Sequence, residues 1–214
     1  MTAQAPSSRL PGILITLDGP GGVGKTTVAA LVASALAAEG QNVHATAQPS
    51  DAQLGKIARH GTDTYQGMAL ACLCAADRHQ QLTTKILPAL AAGRIVVCDR
   101  YLASSVVLQG LDNIPADIVW TLNHGVYRPD LAILLTADPT AIDARLRARG
   151  GHSRFERAED NSVRETGGYQ RAAKFLRERG WPITSVPCAT DPAATAARIV
   201  SLVHHALQET PACL

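Results

Sequence analysis

Asp18-Gly19-Pro20-Gly21-Gly22-Val23-Gly24-Lys25-Thr26-Thr27 stands between an apolar, β-branched run at 13–17 and a stretch of helical periodicity. From Gly19 it satisfies G-x-x-x-x-G-K-[ST], in which each residue type has a part in holding a polyphosphate. Glycines let successive backbone N–H groups turn inward without a Cβ in the way, so Gly19, Gly21, Gly22, Val23 and Gly24 form a candidate anion cradle. Lys25 can reach the β- and γ-phosphates, and the Thr26 hydroxyl can take one position on Mg²⁺. The helix that follows, with Thr27 in its first turn, points its positive end at the same charge. Val28, Leu31, Val32, Ala35 and Leu36 then fall at i, i+3, i+4, i+7 and i+8, and Gly40 is placed to stop the helix.

A full eight-residue pattern preceded by a strand and followed by a helix is the phosphate loop of P-loop NTPases, which a lone glycine-rich turn would not establish. The 214 residues fit one α/β domain, and 46% apolar residues can fill its core. A net charge of +2 from 20 basic and 18 acidic residues gives no support for a broad nucleic-acid or membrane surface. Cys72, Cys74, Cys98, Cys188 and Cys213 lack a disulfide-framework spacing and read as reduced thiols packed as small hydrophobes. No run approaches ~20 apolar residues, and residues 1–11 lack a signal peptide's apolar stretch and read as a loose leader, so a soluble, cytoplasmic protein is expected.

The rest of the chain alternates strand and helix. Strands are expected at 13–17, 42–47, 95–98, 130–136 and 183–186. Helical stretches are expected at 54–59, 66–92, 103–125 (interrupted), 139–149, 169–179 and 192–207, and a polar segment at 150–166. This predicts one domain over 1–214: a doubly wound parallel five-stranded sheet, helices on both faces, ligands outside the carboxyl ends of the strands.

The second informative stretch is Val96-Val97-Cys98-Asp99-Arg100-Tyr101-Leu102-Ala103-Ser104-Ser105, continuing to Gln109-Gly110. An acidic residue ending a buried strand can hold Mg²⁺ or its water, and the adjacent arginine offers a planar fork to a second phosphate. Together with A-A-D-R-H-Q at 75–80, R-P-D-L at 128–131 and R-x-R-x-R-G at 145–150, the chain resembles the thymidylate kinases, among the nucleoside monophosphate kinases.

That resemblance implies phosphoryl transfer from ATP·Mg²⁺ to a nucleoside monophosphate, by positioning and charge neutralisation in a site that closes against water. It assigns Lys25 and the loop amides to the ATP phosphates, Thr26 and Asp99 to Mg²⁺, and Arg100 to the acceptor phosphate. Arg78 is expected at the acceptor base, with Ser104, Ser105 and Gln109 along its edge. Asp18 matches an acidic residue at the end of the first strand. Residues 150–166 correspond to a mobile lid whose Arg154 stabilises transition-state charge, with Arg145 and Arg149 behind it. The adenine is expected between that arginine face and Ala189-Thr190. Dimerisation through helices near 66–80 and 103–125 is expected by the same resemblance.

Four departures gather on the acceptor side. Gly21 stands for an acidic residue, Ala47-Gln48-Pro49 for Arg-Glu-Pro, Cys74 for the aromatic that stacks on thymine, and Leu108 for the aromatic that crowds the ribose 2′ position. Beside dTMP they leave a modified pyrimidine nucleotide, a ribonucleotide or another small phosphate open as acceptor, and a nucleotide-binding homologue without turnover as a further alternative. A ParA/MinD-type ATPase switch would want a lysine at Pro20, and a GTPase an N-K-x-D motif; neither is present.

Overall fold

The structure, a computed structural model, describes residues 10–150, 153–158 and 160–208, with the Arg149 side chain excepted. The expected leader up to residue 9, part of the expected lid and Cys213 lie outside the described residues. Strands β1 (Ile13–Asp18), β2 (Val43–Ala47), β3 (Ile95–Asp99), β4 (Leu131–Thr136) and β5 (Ile183–Pro187) form one parallel sheet in the order β2-β3-β1-β4-β5.

Every residue of β1 is buried, as a central parallel strand requires. Ile13, Ile15 and Leu17 point to one face, against Val28, Val32 and Leu36 of α1 (Lys25–Ala38) and Ile199 and Val203 of α10 (Pro192–Gln208). Leu14, with Val96 and Leu134, points to the other. There it meets α4 (Leu87–Ala91), α5 (Leu102–Leu111) and α9 (Asn161–Arg177) through Leu90, Val106 and Leu176. Period-two alternation in one strand thus builds both cores. The chain leaves β1 toward β2 on one side and later returns to β4 on the other, so the crevice beside β1 is the switch point where such sheets bind ligands.

The helical expectation over 66–92 resolves into α3 (Gly67–Gln81), a π turn (Leu82–Ile86) and α4, with α2 (Gln53–His60) before them. Two features cause the break. Thr83 and Thr84 hydroxyls donate back to the carbonyls of His79 and Gln80, and Pro88 lacks the N–H that would bond four residues back. The expected helix near 103–125 is α5 followed by α6 (Ala116–Leu122). The polar segment expected at 150–166 contains helix among its described residues. Arg154–Arg157 form the short helix α8, and α9 begins at Asn161, with Asn161, Ser162 and Glu165 buried instead of solvated and Glu165 reaching the phosphate loop at Gly21. Preceding them, α7 (Pro139–Arg149) lies over that loop.

Candidate active site

The phosphate loop takes its shape from backbone conformations that side chains disfavour. Gly19, Gly22 and Gly24 have φ of 151°, 77° and 102°. A Cβ on Gly19 would come within 2.6 Å of the Leu135 carbonyl, so no other residue fits there. Lys25, the first residue of α1, folds back with Nζ donating to the Pro20 carbonyl at 2.6 Å. Burial is the main cause that brings its pKa down to about 7, and the neighbouring Arg100 adds to it. Asp99, Glu165 and Asp18 oppose the shift.

Parallel pairing sets Leu17 of β1 opposite Asp99 of β3, so Asp18 and Asp99 end neighbouring strands on the same side of the sheet. The Thr26 hydroxyl donates to Asp99 Oδ2 at 2.6 Å. Arg100 is held with φ 69°, a left-handed conformation costly for a residue with a Cβ, while its N–H donates to the Leu17 carbonyl at 2.8 Å. Burial disfavours the Arg100 charge, but Tyr169, Asp99, Glu165 and Asp18 together hold its pKa above the ordinary arginine value. Arg100 is therefore a permanent cation beside the loop.

Asp18 serves the scaffold of this corner. Its Oδ1 accepts from the Tyr101 N–H, the Ser104 N–H and the Ser104 hydroxyl at 2.9, 2.9 and 2.6 Å, fixing the start of α5 against the end of β1. Ser104 also shares a 2.9 Å hydrogen bond with the Tyr169 hydroxyl.

Lys25, Thr26, Thr27, Gly22, Gly24, Asp99 and Arg100 border a cavity of about 400 Å³, which continues to Arg78, Ser104, Ser105, Leu108, Gln109 and Cys74. Ligand sites of small molecules have this size. Three buried polar atoms on residues that border it have no hydrogen-bond partner among the described residues: Asp99 Oδ1, Arg100 Nη1 and Gln109 Oε1. Unmet hydrogen-bonding capacity is costly in a protein interior, and three instances around one cavity mark it as a place for a polar ligand.

Arg78 is committed to the protein. Nε donates to Gln48 Oε1 at 2.7 Å, Nη1 to Asn123 Oδ1, and Nη2 to the Ser105 hydroxyl at 2.6 Å and the Tyr101 carbonyl at 3.3 Å. Gln48, read from sequence as the loss of a charged partner, instead anchors Arg78 and, through Nε2, meets Gln81 at 2.9 Å. Cys74 is largely buried, which pushes its thiol pKa up to about 11 and keeps it neutral.

Arg145 reaches the phosphate loop, with Nη1 donating to the Val23 carbonyl at 3.3 Å. The Ala189 N–H donates to the Thr195 hydroxyl at 2.9 Å. Arg154, expected to stabilise transition-state charge when the lid closes, here meets Asp112 and the Thr62 carbonyl. Nη1 donates to Asp112 Oδ1 at 2.7 Å, Nη2 to Asp112 Oδ2, and Nε to the Thr62 carbonyl at 2.5 Å.

Three side chains at the site escaped the sequence reading. Glu165 Oε2 accepts from the Gly21 N–H at 2.6 Å, and its Oε1 from Asn161 Nδ2 at 2.8 Å. Phe155 and Glu156 both border the cavity. A Cβ placed on Gly21 would come within 2.9 Å of Glu156 Cγ and Oε1, so the Glu156 side chain occupies the space a side chain at 21 would need. The signal for Glu165 was its place in a polar helix turn, which looks the same whether it faces water or a phosphate loop.

A family model for thymidylate kinase matches residues 17–184. The chain is 38% identical over 177 residues to a probable thymidylate kinase of Caldivirga maquilingensis, covering 80% of this chain and 84% of the relative. It is 38% identical over 155 residues to a thymidylate kinase of Xanthomonas oryzae pv. oryzae, covering 72% and 68%. With a probable thymidylate kinase of Pyrococcus abyssi it shares 33% over 177 residues, covering 78% and 85%. The phosphate loop and the Asp99-Arg100 strand end border one cavity. The chain belongs to the thymidylate kinase family, as an ATP-dependent nucleoside monophosphate kinase.

Proposed function

We propose that the enzyme transfers the γ-phosphoryl group of ATP to dTMP or a closely related pyrimidine nucleotide, giving ADP and the nucleoside diphosphate. The observation that carries this reading is the continuity of one cavity from Lys25 and Thr26, past Asp99 and Arg100, to Arg78, Ser105 and Gln109. A donor phosphate chain fits the loop end, and an acceptor phosphate fits beside Arg100.

The residues present fit Mg²⁺. Thr26 and Asp99 are hard oxygen donors within 2.6 Å of one another, and Asp99 Oδ1 has no hydrogen-bond partner among the described residues. Thr26 and Asp99 would hold the ion, which when bound neutralises phosphate charge. Lys25 and the loop amides hold the donor's terminal phosphates, and Arg100 orients the acceptor phosphate in line with them. Preorganised cations of this kind lower the barrier because they need not rearrange as charge moves in the transition state. Gln109 Oε1 can accept a hydrogen bond from an acceptor base, and Leu108 and Cys74 offer apolar wall.

A homodimer working in the cytoplasm is part of the proposal. Met68 of α3 and Ile118 of α6 are exposed large apolar side chains on helices expected to pair, and no helix among the described residues is long and apolar enough to cross a membrane. Light scattering after gel filtration would measure the assembly. For the reaction itself, ADP release and product should be measured against a panel of ribo- and deoxyribonucleoside monophosphates. The proposal expects dTMP or a close pyrimidine analogue to lead the panel; a purine monophosphate or a non-nucleotide phosphate in that place would overturn it.

A further inference from the structure

The residues of α8 sit over the acceptor end of the cavity and are held there by a contact outside it. Phe155 is buried among Ala58 of α2 and Leu70 of α3, with Cys74 and Leu108 packed around, and its ring borders the cavity. Just before it, the Arg154 guanidinium lies 4.1 Å from the centre of the Phe155 ring and takes both oxygens of Asp112. Asp112 is the residue at which α5 ends, and its side chain is only 7% exposed. It also accepts from the Gly67 N–H at 3.0 Å, at the start of α3. One carboxylate thus ties the end of α5, the start of α3 and the lid into a unit. Just after Phe155, Glu156 meets Gly21 of the phosphate loop.

Among the described residues, the other aromatic side chains bordering the cavity are Tyr101 and His60. Tyr101 is fully buried, donates its hydroxyl to the Tyr127 carbonyl and is stacked on Trp181 at 5.9 Å, with Arg78 at 5.5 Å from its centroid. His60 closes α2 and is exposed. Phe155 is the ring set into the wall that Cys74 and Leu108 complete.

Resting on the reading of the cavity as a nucleoside monophosphate site, we propose that Phe155 is the surface on which the acceptor base packs, and that Asp112 is the positioning residue that holds it there through Arg154. The acceptor pocket then lacks a wall until α8 is down. Acceptor binding and lid closure are therefore one thermodynamic event, and contacts made at Asp112, outside the cavity, contribute to acceptor affinity.

The test compares wild type, Phe155→Leu and Asp112→Asn in steady-state turnover of dTMP with ATP, beside the exchange of backbone amide hydrogens at 153–158 in wild type with and without dTMP. Base stacking on an aromatic side chain supports an expected rise of about tenfold in the KM for dTMP with Phe155→Leu, the KM for ATP staying within about twofold. Asp112→Asn should raise the same KM, with the double variant no worse than the more impaired single one. In wild type, dTMP alone should slow exchange at 153–158, a readout that needs no variant to fold. An unchanged or lowered KM for dTMP in Phe155→Leu, or exchange at 153–158 indifferent to dTMP, overturns the inference and leaves the proposed function standing. A wild-type enzyme that turns over no pyrimidine monophosphate overturns the proposed function, and this inference falls with it.

Discussion

Thr26 and Asp99 share a 2.6 Å hydrogen bond across a sequence separation of 73 residues. It joins the first turn of α1 to the end of β3, and it sets the oxygen pair proposed for Mg²⁺ at the mouth of the phosphate loop. Because the second Asp99 oxygen is buried with no partner among the described residues, this carboxylate is held for a ligand.

Asp99→Asn keeps the shape and an acceptor for Thr26 but removes the charge. Loss of a preorganised electrostatic contact in phosphoryl transfer predicts a fall of about 10²-fold in kcat. The Mg²⁺ concentration giving half-maximal rate should rise. Magnesium titration of the two enzymes checks both expectations, and unchanged half-activation would remove Asp99 from the metal site.

Lys25 links loop charge to pH. Its folded pKa of about 7 lies below its value of 10.5 in an unfolded chain, so the unfolded state binds more protons between those limits. Ligand-free stability should therefore rise as pH increases from 7 toward 10.5, insofar as this group contributes. Lys25→Met removes the desolvated ammonium and should raise the ligand-free melting temperature near pH 7 while abolishing turnover. A melting temperature below wild type would show that the ammonium stabilises the empty loop.

The same group predicts proton uptake. At pH 8 most Lys25 side chains are neutral in the free enzyme, and bound phosphates favour the charged form. ATP binding at that pH should take up a substantial fraction of one proton. Calorimetric titration in buffers of different ionisation enthalpy measures the number, and a value near zero would show that Lys25 keeps its proton in the free enzyme.

Arg78 is expected to matter for stability as well as for the acceptor. Arg78→Ala takes the guanidinium donor away from Gln48 Oε1, Asn123 Oδ1 and the Ser105 hydroxyl, and buried acceptors left unpaired cost about 1–3 kcal/mol apiece before relaxation and water entry. A net loss of roughly 3 kcal/mol corresponds to a fall of about 6–12 °C in melting temperature for a domain of this size. A drop under about 2 °C by scanning calorimetry, less than 1 kcal/mol would give, would indicate that water satisfies the network.

The sheet and its order of elements were legible because hydrophobic pattern and glycine chemistry act locally: 13–17 reads as an apolar strand, and 19–26, with a strand before it and a helix after it, as a phosphate loop. The π turn was less visible, since Thr83, Thr84 and Pro88 lie inside an otherwise uniform helical pattern. What the sequence concealed most was pairing over long separations. Nothing near Asp112 announces Arg154, and nothing near Gly21 announces Glu165 or Glu156. Polar residues of a lid read as solvated unless one knows what they face. Gln48 shows the opposite error: a residue that looked like a lost charge is the one that grips Arg78.

The most direct test of the central claim is a crystal structure with dTMP and a non-hydrolysable ATP analogue bound together. The account predicts the acceptor phosphorus between Arg100 and the analogue's terminal phosphate, with Lys25 withdrawn from the Pro20 carbonyl onto the donor phosphates. Density for dTMP away from Arg100, or a donor phosphate chain outside the Gly19–Thr26 loop, would contradict it.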